Sequence, residues 1–208
     1  MSNRATRSGL KRSIQAAALS LPGIKKAMVD LVDTLALKAG EELATGAGTG
    51  ITTGTGTVYQ SSVTENGGII TTRILLDLTG LHSADSDLDV IGVEDTALPC
   101  HFGQITDAEN GSVFGGTIQC LEAPLSLTDL GIYADGDGTL VYEDAIATAG
   151  DGETLIVTPA VQAVSDGAVP IAGVPPANSY LYVVNGAADT PDIFTAGKFL
   201  IELLGYRA

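Results

Sequence analysis

Residues 57–79 read TVYQSSVTENGGIITTRILLDLT, and the fold is decided here. Val, Ile, Thr and Tyr suit a pleated, half-buried surface. They fall in two runs, Thr57–Val63 and Ile69–Thr79, at a spacing of two, the period at which side chains of a strand share a face. Between the runs stands Glu65-Asn66-Gly67-Gly68, a turn signal. Two strands around a turn are therefore expected.

Toward the C-terminus the pattern recurs. Candidate strands are Asp89–Val93, His101–Thr106, Val113–Glu122, Leu130–Tyr133, Thr139–Tyr142, Thr154–Val157, Ser179–Val184 and Lys198–Leu204. Turn signals separate them at Asn110-Gly111, Asp135-Gly136-Asp137-Gly138, Asp151-Gly152, Pro175-Pro176 and Asn185-Gly186. Many short strands without intervening helices specify a mainly β protein, a β-sandwich or jelly roll, rather than an α/β fold.

Toward the N-terminus the period changes. Residues 45–57, TGAGTGITTGTGT, read as a linker or a loose first strand. Before them Leu10, Ile14, Ala17, Ala18 and Leu21 follow helical spacing, and Pro22-Gly23 interrupts it. Ile24, Met28, Leu31, Val32 and Leu35 then repeat the spacing, predicting an amphipathic helix over about 24–39 that Gly40 can end. The expected organisation is a basic helical arm over 1–45 and a β-sandwich domain over 46–208. A short isolated helix is marginal in water, so the arm's apolar stripe needs a partner.

Charge separates the same two parts. Residues 1–38 hold seven cations and two acids, a net +5, whereas residues 39–208 hold three cations and 23 acids, a net −20. An acidic body opposes the nucleic-acid backbone, and a basic arm seeks an acidic partner. Only 17% of residues are charged, against about 25% in an average soluble protein, which suits a surface that packs against neighbours. No run of about 18 apolar residues suggests a membrane helix. The basic start imitates a targeting peptide, but Gln15 breaks its apolar stretch and Lys25-Lys26 follow at once, so it reads as an arm that stays attached.

Catalytic and ligand motifs find little support. The glycines at 46, 48, 50, 54 and 56 lack the Gly-Lys-Ser/Thr of a P-loop and the strand–helix context of a dinucleotide fold, so the tract reads as a hinge. Asp135-Gly-Asp-Gly and Asp85-Ser-Asp-Leu-Asp offer oxygens to a hard cation but do not continue into a closing Glu. Cys100, His101, Cys120 and His82 are zinc-competent side chains at the wrong spacing, and the two cysteines read as buried small residues or a disulfide pair. There is no G-x-S-x-G elbow and no Trp to line a sugar cleft. Asn110-Gly111-Ser112 matches a glycosylation acceptor and reads better as a type I′ turn. The expectation is a non-enzyme without metal or cofactor.

The arm is the candidate site. Arg4, Arg7, Lys11, Arg12, Lys25 and Lys26 supply charge, and Leu10, Ile14, Leu21, Ile24, Met28, Leu31 and Leu35 supply packing area. No aromatic residue lies in 1–58 to stack on bases. Docking on protein subunits, with charge steering and the apolar stripe holding, is preferred over nucleic acid or a membrane.

The stretches IITTRILLDLTGL (69–81), PCHFGQITDAENGSVFGGTIQCLEAP (99–124), PANSYLYVVNGA (176–187) and FTAGKFLIELLGY (194–206) resemble the capsid decoration, or cement, proteins of marine and environmental tailed phages. The resemblance covers roughly residues 50–208 and leaves out the arm. It implies a jelly roll on the outer surface of the phage head, often a homotrimer, that binds the major capsid protein and clamps neighbouring subunits, with no membrane and no direct nucleic-acid contact. The alternative is a trimeric fibre or glycan-binding receptor-recognition protein of the virion. A hydrolase on a β-sandwich is the third reading.

Overall fold

The computed structural model describes residues 42–207, apart from 96, 128, 147–151 and 189. The chain divides after Glu41, and Glu42–Ala208 is one compact unit. It is mainly β, with two antiparallel sheets built from β1 (Val58–Asn66), β2 (Ile69–Asp77), β3 (Gln104–Ile105), β4 (Ser112–Leu125), β5 (Asp129–Asp135), β6 (Thr154–Val161), β7 (Ala168–Pro170), β8 (Ser179–Asn185) and β9 (Ala196–Tyr206). The first sheet has the order β1-β2-β9-β4-β7 and the second the order β3-β8-β5-β6. Two short helices, α1 (Thr49–Thr52) and α2 (Asp107–Asn110), lie in the connections.

The β1–β2 hairpin has the expected form. It is in register from Val58↔Asp77 to Asn66↔Ile69. Gly67 and Gly68 both have positive φ, 61° and 84°, as a two-residue I′ turn requires. Along β2 the residues Ile70, Thr72, Ile74 and Leu76 turn inward and are buried, as are Phe199, Ile201 and Leu203 of β9. The second sheet answers with Ile132, Val157, Leu181 and Val183. A small apolar cavity lies between the sheets, with Leu76, Ile118 and Ile201 on one side and Ile132, Val157 and Val183 on the other, so their inner faces pack together. Each large apolar side chain buried there contributes about 1.5–3 kcal/mol relative to exposure.

Two expected strands are absent. Asp89–Val93 forms only isolated bridges, because its backbone bonds scatter: Val90 N–H donates to Asp144 O, Ile91 N–H to Val183 O and Val93 N–H to Gly50 O. Val90 and Ile91 are nevertheless fully buried; their apolar character plugs a loop into the core instead of building a ladder. Thr139–Tyr142 is likewise irregular, because Thr139 N–H and hydroxyl both donate to the Asp137 carboxylate and divert the chain. Conversely, β7 pairs with β4 at Thr117–Gln119, although its sequence AVP gave no strand signal.

The Gly/Thr tract is neither linker nor strand. It forms α1, whose Ile51 is fully buried in the core. Gly48 and Gly50 donate their N–H groups to His101 O and Pro99 O, both at 2.8 Å. Side chains at these glycines would run into the backbone at Pro99, so the glycines permit a close approach between two segments. Leu43 is buried as well.

Asn110-Gly111 is not a I′ hairpin turn. Asn110 ends α2 and is buried; its Oδ1 accepts from Thr106 N–H and its Nδ2 donates to Thr72 Oγ1, both at 2.8 Å. Gly111, at φ 66°, carries the chain from α2 into β4. A buried Asn tied at both ends makes a poor sugar acceptor.

Candidate interaction surface

The arm residues Arg4, Arg7, Leu10, Lys11, Arg12, Ile14, Leu21, Ile24, Lys25, Lys26, Met28, Leu31 and Leu35 lie outside the described residues. Within the body, the feature that invites a partner is the outer face of the first sheet.

Register places the outward side chains in rows across the strands. One row holds Ile69, Tyr206 and Ser112, the next Thr71, Leu204 and Gly115, then Arg73, Glu202 and Thr117, then Leu75, Leu200 and Gln119. Leu75, Leu200 and Leu204 are only half-buried. At one end Ile69, Phe114 and Tyr206 are 41%, 52% and 45% exposed, and the Phe114 and Tyr206 rings sit 6.2 Å apart, tilted. Val58, Leu121 and Leu125 are further exposed apolar residues of the same sheet, whereas Val169 falls in the inward row of Ile118 and Ile201. Apolar side chains exposed at this density on one sheet face make it the candidate interaction surface.

The charges on this sheet are balanced. Arg73, Lys198 and Arg207, the three cations of residues 39–208, all belong to it or its margin. Arg73 Nε lies 2.6 Å from Glu202. Lys198 is bonded to Glu122 and lies 3.4 Å from Asp77. Arg207 Nε lies 3.1 Å from Glu65 and its Nη1 donates to Ala108 O. Pairs this exposed are screened by solvent and add little to stability, so their effect is neutralisation. Most of the remaining acids lie in loops and on the second sheet. Asp89 is held above the usual carboxylate range by burial and then by the charges of Asp85 and Glu143. The body thus presents a near-neutral, partly apolar sheet and a strongly acidic remainder.

Of the motifs weighed for ligand chemistry, Asp85 and Asp87 are exposed, and the others are largely turned inward. Asp135 is buried and its Oδ1 accepts from Asp137 N–H at 2.7 Å, so it shapes its own turn. Cys100 and Cys120 are buried and unbridged, donating to Leu98 O and Glu122 O. Burial pushes the Cys100 thiol up to about 12, the opposite of an activated nucleophile. The His101 ring packs 4.9 Å from Tyr180 and edge-on to Tyr182, and burial lowers its pKa. His82 lies elsewhere, 3.7 Å from Glu94. Among the described residues no group of His, Cys, Asp and Glu is arranged to hold a metal ion, and no helix is long and apolar enough to cross a membrane.

The outer face was not singled out in the sequence, though a signal existed. Ile74-Leu75-Leu76, Phe199-Leu200-Ile201 and Leu203-Leu204 are apolar at consecutive positions rather than alternating. Continuous apolar runs occur where a strand is covered on both faces. Searches of family models, characterised proteins and solved structures found no match to this chain.

Proposed function

We propose that this chain is a jelly-roll decoration protein of a phage head, which lies on the outer surface of the virion and clamps neighbouring capsid subunits. The observation that carries the proposal is the strand order. Setting β1 aside, the sheets run β2-β9-β4-β7 and β3-β8-β5-β6, and the chain crosses between the sheets at every connection except β5–β6, as in two Greek keys, the plan of jelly rolls in viral capsid domains. The near-neutral outer face of the first sheet supports docking on protein, and the basic arm supplies a second contact of opposite charge to the body. The major capsid protein is the proposed partner, with further copies of this chain, as a homotrimer, at each site. A subunit that binds only the assembled shell stabilises it by mass action, and many weak copies add through multivalency.

The test is cosedimentation of the full-length chain with emptied, expanded phage heads. Leu200→Glu with Leu204→Glu should remove most binding while far-UV circular dichroism stays unchanged. Reversing Lys11, Arg12, Lys25 and Lys26 to Glu should weaken binding and its salt dependence together. Full coating by both variants would refute the reading.

A further inference from the structure

Three of the four sheet edges are blunted. β7 is three residues long and ends in Pro170. β3 has two residues. β6 contains Pro159, and its pairing with β5 slips register twice. Short edges, prolines and bulges are the usual protection against edge-to-edge pairing.

β1 has none of these. It is nine residues long, free of proline and lysine, and pairs with β2 without a bulge. The phase of the ladder identifies its open groups. Leu78 N–H donates to Gly197 O, so even-numbered residues of β2 bond to β9 and odd-numbered ones to β1. In β1, Val58, Gln60, Ser62, Thr64 and Asn66 therefore bond to β2. Tyr59, Ser61, Val63 and Glu65 turn their N–H and C=O groups outward, and among the described residues no backbone group meets them.

We infer that the β1 edges of two copies of this chain pair antiparallel across a twofold axis at Ser62, joining two five-stranded sheets into one. The strand is self-complementary in that register. Tyr59 meets Glu65 of the second copy and Ser61 meets its Val63, which uses all four outward residues on each side. Gln60 faces Thr64, and Ser62 faces Ser62. Charge selects a second copy at this edge. Elsewhere the acidic loops with Asp85, Asp87, Asp89, Glu143 and Asp144 repel their equivalents. The edge carries one carboxylate, Glu65, which Arg207 neutralises and which the axis sets opposite a tyrosine. A twofold contact does not close a threefold ring; it joins two copies, or two threefold assemblies.

The register makes the test specific, and it uses purified full-length chain without capsids. Ser62 and its equivalent form a non-hydrogen-bonded pair with Cα atoms about 4.5 Å apart, within disulfide reach. Gln60 and its equivalent are offset by four residues, about 13 Å along the strand. Under mild copper–phenanthroline oxidation, Ser62→Cys should give most of the protein as a reducible species of twice the chain mass. Gln60→Cys should cross-link at least tenfold less, and Gln60→Cys with Thr64→Cys should restore the dimer. Ser62→Lys, placing like charges at the axis, should halve the mass seen by light scattering. Folded Ser62→Cys that stays single, or equal cross-linking by Gln60→Cys, would overturn the inference. If Ser62→Cys fails to fold, the double variant decides in the same way.

Discussion

Ile51→Ala tests whether the glycine–threonine tract belongs to the body. Ile51 is fully buried and part of the main core. Truncation to Ala removes three buried carbons and leaves a cavity that the neighbouring glycines cannot collapse into, because Gly50 already lies against the backbone of Leu98 and Pro99. The cost should fall within the range for such changes, about 3–4 kcal/mol. At about 2–4 °C per kcal/mol for a domain of this size, the melting temperature should drop by roughly 6–16 °C. The assay is equilibrium urea unfolding of the full-length chain followed by far-UV circular dichroism. The midpoint should fall by about 1 M or more with an unchanged slope. Ile51→Val should cost about 1 kcal/mol, and Thr52→Ala, at an exposed neighbour, less than about 0.5 kcal/mol. An Ile51→Ala effect below about 1 kcal/mol would refute the reasoning and return the tract to the role of a tether.

His101 predicts a pH dependence. Its folded pKa is depressed by burial, so the unfolded chain binds more protons below about pH 6.5; stability is full above that value and falls as pH drops through the folded pKa. His101→Phe should flatten the curve below about pH 6.5 in urea titrations. Asn110→Ala should cost about 1–3 kcal/mol, since it leaves the part-buried Thr106 N–H without its acceptor and removes the buried Thr72 contact; a melting curve superimposable on the parent would contradict this. Cys100 should react with a thiol reagent at neutral pH only as fast as the body unfolds, because its thiol is buried and its pKa is pushed up to about 12; rapid labelling in native buffer would show the loop at 98–102 to be open.

Strands with period-two spacing were legible within a few residues, and β1–β2 was legible down to its turn, because local chemistry specifies both. What escaped the sequence depended on partners far along the chain. Val90 and Ile91 have strand-like composition, yet their neighbours are three different segments. Asn110-Gly111 has the composition of a hairpin turn, yet Thr72, 38 residues away, claims its side chain. Gly48 and Gly50 look like hinge glycines until Pro99–His101 is known to lie against them. On the candidate surface, Leu75, Leu200 and Leu204 were visible only as apolar excess; that they share a face follows from the pairing of β2 with β9.

That pairing also bears on how the protein is made. β9 lies between β2 and β4, so residues 196–206 are the shared neighbour of two strands synthesised long before them. During translation β2 and β4 must wait, with the edges that β9 will fill open to solvent, until residues 196–206 have been made. Ladders this distant in sequence form slowly, and an open edge in the meantime is prone to wrong partners. A premature stop between Leu125 and Ala196 would therefore leave β2 and β4 without their shared neighbour and yield an aggregating fragment rather than a smaller working domain.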